Sequence, residues 1–272
     1  MSDREILLRL DAERQAVADR DMVLERTPQV VRAIGDHGFW NGIVYSRFSS
    51  EEAEEVIDHE IHYFNKLQRS FEWKVYSHDE PSDLLVRLRR RGFKIGEEEA
   101  LMVLGLDALP PALLAPAPES ISVRPVTDEQ GIQDFLYLES AIWGELRTTR
   151  EFLISSLHDR LQCDLAFIAH SSEKPVGFGR VTATLDSQFA GLWGGSVLPE
   201  FRGRGVYRAL LWARIQHARR FESVRYLRVD ALATSRPILE RYGFRRVAST
   251  WPAEWPTEPA SLSSALELRS GP

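Results

Sequence analysis

The sequence predicts a mixed α/β protein whose larger part carries an antiparallel meander and one βαβ crossover. Three observations predict it. Strand-like and helix-like patterns alternate along residues 121–250, as in folds that layer helices on a sheet. Ala53, Val56, Ile57, Ile61, Phe64 and Leu67 recur at three- and four-residue intervals, the period of a helix with one buried face. A glycine-rich loop stands between a strand pattern and a helix pattern at residues 196–211.

Composition bounds what such a protein can be. The 272 residues, at a soft prior of about 150 per domain, suggest two modest domains. With 27% charged and 10% aromatic residues the chain is of ordinary globular type, which excludes wholesale disorder. The single Cys163 excludes an intrachain disulfide framework and a Cys-rich zinc module, and suits a reducing, cytoplasmic location. No apolar run approaches the roughly 18 residues of a membrane span, and the N-terminus reads as an acidic helix rather than a signal peptide. No membrane partner is expected.

Residues 110–120, PPALLAPAPES, hold four prolines and read as an extended connector. They separate a first part, 1–109, from a second, 121–272. In the second part Ile121–Val126 reads as a strand, and helices follow at about 128–142 and 149–161, broken at Trp143-Gly144. Asp164–His170 and Pro175–Leu185 are apolar runs joined by the polar turn Ser171–Lys174, a hairpin signal. A turn at Asp186–Gln188 leads into a strand at Phe189–Leu198. The remaining order is a helix from Gly205 to about Arg220, a strand at Arg225–Ala231, a helix at Ser235–Arg241 and strand material after Phe244.

The first part repeats the end of that order. The amphipathic helix near 50–68 precedes a strand at Trp73–Tyr76, a helix at Pro81–Arg90 stopped by Gly92-Phe93, and a strand at Ala100–Leu106. In both parts a leucine (Leu88, Leu239) lies four residues before the glycine that stops the last helix. The shared order predicts a degenerate internal repeat.

The most informative stretch is Ser196–Leu211, SVLPEFRGRGVYRALL. Pro199 ends the strand, and Arg202-Gly203-Arg204-Gly205 forms a loop directly before a helix. The glycines permit positive φ and close backbone approach. Amide N–H groups, the positive end of the helix dipole and two guanidinium groups converge there, an anion site suited to a pyrophosphate. Residues 201–228 hold eight arginines against one acid, Glu222, a local charge of about +7 in a chain of net −6.

The run VLPEFRGRGVY, followed about forty residues later by RPILERYGF, resembles the GNAT superfamily of N-acetyltransferases over residues 121 to about 250, and the first part resembles a truncated second copy, as in tandem members. The resemblance implies a GNAT-like acyl-CoA-binding fold in the second part and acetyl-CoA as acyl donor to an amine acceptor, with no metal. It implies backbone contacts from Val197 and Leu198 to the pantetheine arm. It also implies pyrophosphate binding by the amides of Arg202, Gly203, Arg204, Gly205, Val206 and Tyr207. A strand N–H, that of Leu198, would polarise the thioester carbonyl.

Two positions depart from the family pattern. Tyr207 stands where glycine or alanine is usual, so its ring must point away from the phosphates or stack on the ligand. Leu239 stands where a tyrosine commonly serves as general acid, and it has no proton to give. Asp230, at the end of a strand facing the expected gap, is a candidate general base, with Glu139 and Glu200 behind it. Trp143 and Trp193 are candidate walls of an acceptor pocket. The first part has no phosphate loop; its long helix opens on acids, which repel a pyrophosphate.

His59 and His62 are three apart rather than four, so they do not make a zincin pair. No P-loop or nucleophile elbow is present, and overall acidity argues against nucleic acid as a partner. Two functions remain: an acetyl-CoA-dependent N-acetyltransferase, and, given Leu239, a catalytically weak acyl-CoA-binding sensor.

Overall fold

The computed structural model describes residues 1–17, 22–35, 40–159 and 163–256. Its elements are α1 (Asp3–Ala16), β1 (Met22–Arg26), β2 (Val30–Gly35), β3 (Asn41–Ser46), α2 (Ala53–Lys66), β4 (Phe71–Tyr76), α3 (Leu84–Arg91), β5 (Lys94–Ile95), β6 (Glu99–Gly105) and α4 (Pro111–Leu114). There follow β7 (Ile121–Pro125), α5 (Glu129–Trp143), α6 (Arg150–Leu157), β8 (Asp164–Ser171), β9 (Lys174–Thr182), β10 (Phe189–Val197), α7 (Val206–Ala218), β11 (Tyr226–Ala231), α8 (Arg236–Arg241) and β12 (Arg245–Trp255).

The chain divides into two compact units, Met1–Leu10 with Ala100–Val247, and Asp11–Glu99 with Ala248–Pro272. This differs from a division at residues 110–120. The proline-rich segment lies inside the first unit, where Pro111 opens a single helical turn and Leu113, 1% exposed, is buried in the core. Each unit is completed by a strand from the other half of the sequence. β6 pairs antiparallel with β11, Ala100 opposite Ala231, and residues 250–255 of β12 pair antiparallel with β4.

In the first unit the strands run in the order β6-β11-β10-β9-β8-β7. Neighbours are antiparallel except β10 and β11, which are parallel because α7 carries the chain across between them. Side chains alternate along β8. Leu165, Phe167 and Ala169 join a core with Leu210, Leu211 and Ile215 of α7, whereas Ala166 and Ile168 join Ile132, Phe135 and Leu138 of α5 and Leu153 of α6. The sheet is therefore buried on both faces.

Local chemistry sets the helix ends. Asp128 caps α5 by accepting from the Gly131 N–H at 2.8 Å, and Gly144 closes it in the left-handed conformation. Thr149 caps α6 through the Phe152 N–H.

The second unit orders its strands β1-β2-β3-β4-β12, with β5 beside β12. Here β3 and β4 are parallel across α2. Both units therefore run three antiparallel strands, a helix, a parallel strand and a helix. The stripe read in residues 50–68 buries Ala53, Ile57 and Phe64 against Ile43, Trp73 and Leu88. β1–β3 carried no expectation from sequence. β2 is buried almost throughout, which erases the alternation that reveals a half-buried strand. Its Arg32 is inside because Nε and Nη2 bind the buried Glu60 carboxylate at 2.6 and 2.7 Å.

Candidate functional site

The site begins where β10 and β11 part. Their parallel ladder covers only Phe189–Gly191 against Tyr226–Arg228. Beyond it the β9–β10 register slips between Trp193 and Ser196, with Gly194 and Gly195 at φ +64° and +93°. A bulge of two left-handed glycines turns β10 away from its neighbour. The small cleft so opened is lined by Leu101, Gly191, Leu192, Trp193, Arg228, Val229 and Asp230.

Trp193 and Asp230, two of the expected site residues, thus share one cleft, and Arg228 joins them without having been singled out. Trp193 is 40% exposed, and its Nε1 donates to Thr182 Oγ1 at 3.0 Å. Thr182 in turn donates to the buried Asp164 at 2.8 Å, so the indole is held from behind. Trp143 lies in α5, donating from Nε1 to Ser196 Oγ at 3.1 Å and packing edge-on against Phe178. Its indole also lies 3.6 Å from the point a Cβ on Gly194 would occupy.

At the far end of β10 the chain passes through a 3-10 turn, Pro199–Phe201, into the loop that starts α7. Gly203 and Gly205 have φ +74° and +81°, and Gly205 is the N-cap with no side-chain cap. The first-turn N–H groups of α7 have no intrahelical acceptor, so the loop presents donors. Nothing lies within 4 Å of where a Cβ on Gly203 would stand. Arg204 is exposed with its guanidinium 5.3 Å from the Phe201 ring, and Val206 is buried. Amides, open space and cationic side chains fit a diphosphate.

Other residues lie differently from expectation. The Leu198 N–H, expected to face a thioester carbonyl, donates to Val176 O at 2.9 Å, and Leu198 is buried in the core. An amide already satisfied inside the sheet offers nothing to an oxyanion, so that assignment is corrected. The Val197 carbonyl accepts from Arg202 Nε at 3.2 Å. Glu139 is fully buried, accepting from the N–H groups of Arg147 and Thr148 and the Thr148 hydroxyl at 2.8–3.0 Å; it anchors the loop between α5 and α6. Glu200 is exposed and faces Lys174 at 3.6 Å.

The basic stretch is not one open face. Arg208 donates to Pro116 O at 2.7 Å, Arg219 to Leu106 O at 2.7 Å, and Arg225 to the carbonyls of Glu222 and Val224. Arg214 is 1% exposed. Burial pulls its guanidinium below the usual range, and the Tyr207 phenol beside it offsets only part of this. Burial likewise pushes the Tyr207 phenol up, with Arg214 opposing. Tyr207 is partly buried, points under the sheet and stacks on Tyr242, ring centroids 6.1 Å apart. The Tyr207–Arg214 pair was not anticipated, although its seven-residue spacing puts both on one face of α7.

Among the described residues no group of three or more His, Cys, Asp or Glu is placed to hold a metal, and no helix is long and apolar enough to cross a membrane.

Residues 132–244 match the model of the acetyltransferase (GNAT) family. Among solved structures, a GCN5-related N-acetyltransferase from Kribbella flavida superposes with a TM-score of 0.68 at 14% identity, covering 97% of this chain and 98% of its own. A tandem GNAT protein from the clavulanic acid biosynthesis pathway gives 0.58 at 14%, covering 90% and 86%. A GCN5-related N-acetyltransferase from Sphaerobacter thermophilus gives 0.53 at 19%, covering 87% and 83%. No curated protein sequence matches the chain. At such identities the structures speak for the fold, and the family model for the domain. The bulged strand, the uncapped glycine loop and the helix behind it all fall within residues 132–244, the stretch that matches the acetyltransferase (GNAT) family model.

Proposed function

We propose that the chain is an acetyl-CoA-dependent N-acetyltransferase acting on a primary amine of a small molecule. One observation carries the reading: the donor-rich, uncapped start of α7 directly follows a strand that parts from its parallel neighbour at a small cleft. A diphosphate site and a slot for a reacting group are thereby joined along one strand. The match of residues 132–244 to the acetyltransferase (GNAT) family model supports acyl-CoA-dependent acetyl transfer.

Bound acetyl-CoA would supply an acetyl group activated as a thioester. The Arg202 N–H already donates to Pro199 O at 3.2 Å, so the amides of Gly203 to Tyr207 bind the diphosphate, with the Arg202 and Arg204 guanidiniums nearby, and the backbone at Val197 follows the pantetheine arm. Trp193 and Trp143 wall the acceptor side. Asp230, in the cleft, holds the acceptor's ammonium and takes its proton, directly or through water. Holding amine and acyl group in one slot supplies much of the rate, so no covalent nucleophile is required. The second unit is a degenerate repeat of the first and binds no second acyl-CoA.

Thiol release from acetyl-CoA across a panel of primary amines tests this. Turnover with at least one amine is expected. Binding of acetyl-CoA with no release across the panel would make the protein an acyl-CoA sensor, the reading that Leu239, buried in the core, favours.

A further inference from the structure

Arg228 stands in the cleft with Asp230 and Trp193, and acyl transfer to an amine gives it no task. Its placement follows from the alternation of β11. Leu227 and Ala231 are buried in the core with Leu210, Leu211 and Ile215 of α7, and Val229 packs on that core. Arg228 and Asp230 therefore project from the opposite face of the sheet. On β10 the same alternation sends Ala190 and Leu192 to the α7 side and leaves Gly191 and Trp193 on the cleft side.

The two strands are in register here, with Gly191 opposite Arg228. Gly191 has no side chain, and the Trp193 indole lies back over it: a Cβ there would stand 3.1 Å from Nε1 and 3.3 Å from Cε2. The bond from Nε1 to Thr182 Oγ1 at 3.0 Å holds the indole in that pose. One wall of the cleft is thus a fixed aromatic edge. The other carries a cation and an anion, Arg228 and Asp230, both half-buried and two residues apart on one strand. At about 3.3 Å of rise per residue, their backbone positions are about 6.6 Å apart.

We propose that Arg228 is a specificity-determining residue that binds a carboxylate of the acceptor, and that the acceptor is an amino acid. This rests on the acyl-transfer reading above, in which Asp230 takes the ammonium. A guanidinium presents a planar fork of donors that matches a carboxylate, which makes the pair both strong and directional. An acceptor with an ammonium alone would set its charge against Arg228, whereas a zwitterion meets an opposite charge at each end. The spacing suits a carboxylate and an amine on one short carbon skeleton. The ammonium gives one proton to Asp230, its nitrogen bonds to the carbonyl carbon, and the C–S electron pair leaves on sulfur. The second nitrogen proton passes through water to the thiolate, which balances the step. The amide product has lost the charge that Asp230 held, which favours its release.

Thiol release from acetyl-CoA tests this with matched pairs. The common amino acids, β-alanine and 4-aminobutanoate are each compared with the amine left when CO2 is removed. The native protein is expected to prefer the carboxylated member of at least one pair by about tenfold or more in kcat/KM, the worth of a charge-assisted hydrogen bond. Arg228→Met should collapse that ratio, and Arg228→Lys should keep part of it. A variant that is merely less stable would lower both rates and leave the ratio alone. Equal rates within every pair, a preference for the plain amines, or a ratio that survives in Arg228→Met would overturn the assignment. A second readout needs no turnover: with CoA at saturation, a millimolar amino acid should raise the Tm of the native protein and not that of Arg228→Met. If acetyl-CoA bound without thiol release, or did not bind, the transferase reading would fail. The melting shift would then judge Arg228 by itself, and no shift with any amino acid would overturn its assignment too.

Discussion

Trp143 Nε1 donates to Ser196 Oγ at 3.1 Å, a bond between residues 53 apart in sequence that ties the end of α5 to the bulge of β10. The bulge needs such a tie, because two left-handed glycines interrupt its ladder to β9. Trp143→Phe keeps most of the packing on Phe178 but leaves Ser196 without this donor. A loss of about 1 kcal/mol in urea unfolding is expected, with weaker binding of an amine substrate than of acetyl-CoA.

Glu139 anchors the loop that joins α5 to α6 with three accepted hydrogen bonds in a fully buried setting. Glu139→Ala strands two backbone donors and a hydroxyl. It should cost about 3 kcal/mol of stability, read by chemical unfolding, and leave CoA affinity nearly unchanged, since the loop proposed for the diphosphate is elsewhere.

Leu239 is a core residue, so restoring the family's tyrosine there does not restore a proton donor. Leu239→Tyr overpacks the site and should lower stability by about 1–3 kcal/mol with no gain in turnover. Leu239→Ala should cost about 2–5 kcal/mol.

Arg214→Met removes a buried, unpaired cation. Replacing buried charge by apolar volume is often neutral or stabilising by about 1–4 kcal/mol, so a rise in Tm is expected in thermal unfolding. A residue kept only for packing would show the opposite pattern.

Burial raises the folded-state pKa of Tyr207 above its ordinary value of about 10, against the pull of Arg214. An acid whose folded pKa is raised contributes stability that is whole below the unfolded pKa and is lost as pH rises through the folded one. The native protein should therefore lose stability above about pH 10 more steeply than Tyr207→Phe, in melting curves taken across that range.

Much of this was legible in the sequence because its signals were local. Arg202–Gly205 before a helix, the stripe in α2 and the Gly243-Phe244 stop are each set by neighbours within a few residues. What was hidden depends on partners far along the chain. The exchange of β6 and β12 between units leaves no mark in a local pattern. Arg214 reads as one more surface arginine until Gly179 and Gly195, from two other strands, are seen to make room for it. The Leu198 amide looks available until Val176 is found opposite it.

The most direct measurement is the affinity for acetyl-CoA of the native protein beside a variant that spoils only the loop. Gly205 is a poor choice, because its φ is +81° and a Cβ there would stand 2.9 Å from Pro118. Gly203 has open space around it, and aspartate tolerates the left-handed region better than most residues. Calorimetry should show acetyl-CoA binding to the native protein and its loss in a folded Gly203→Asp, whose carboxylate repels the diphosphate. No binding to the native protein at millimolar acetyl-CoA, or equal binding by both, would contradict the placement of the diphosphate at the start of α7.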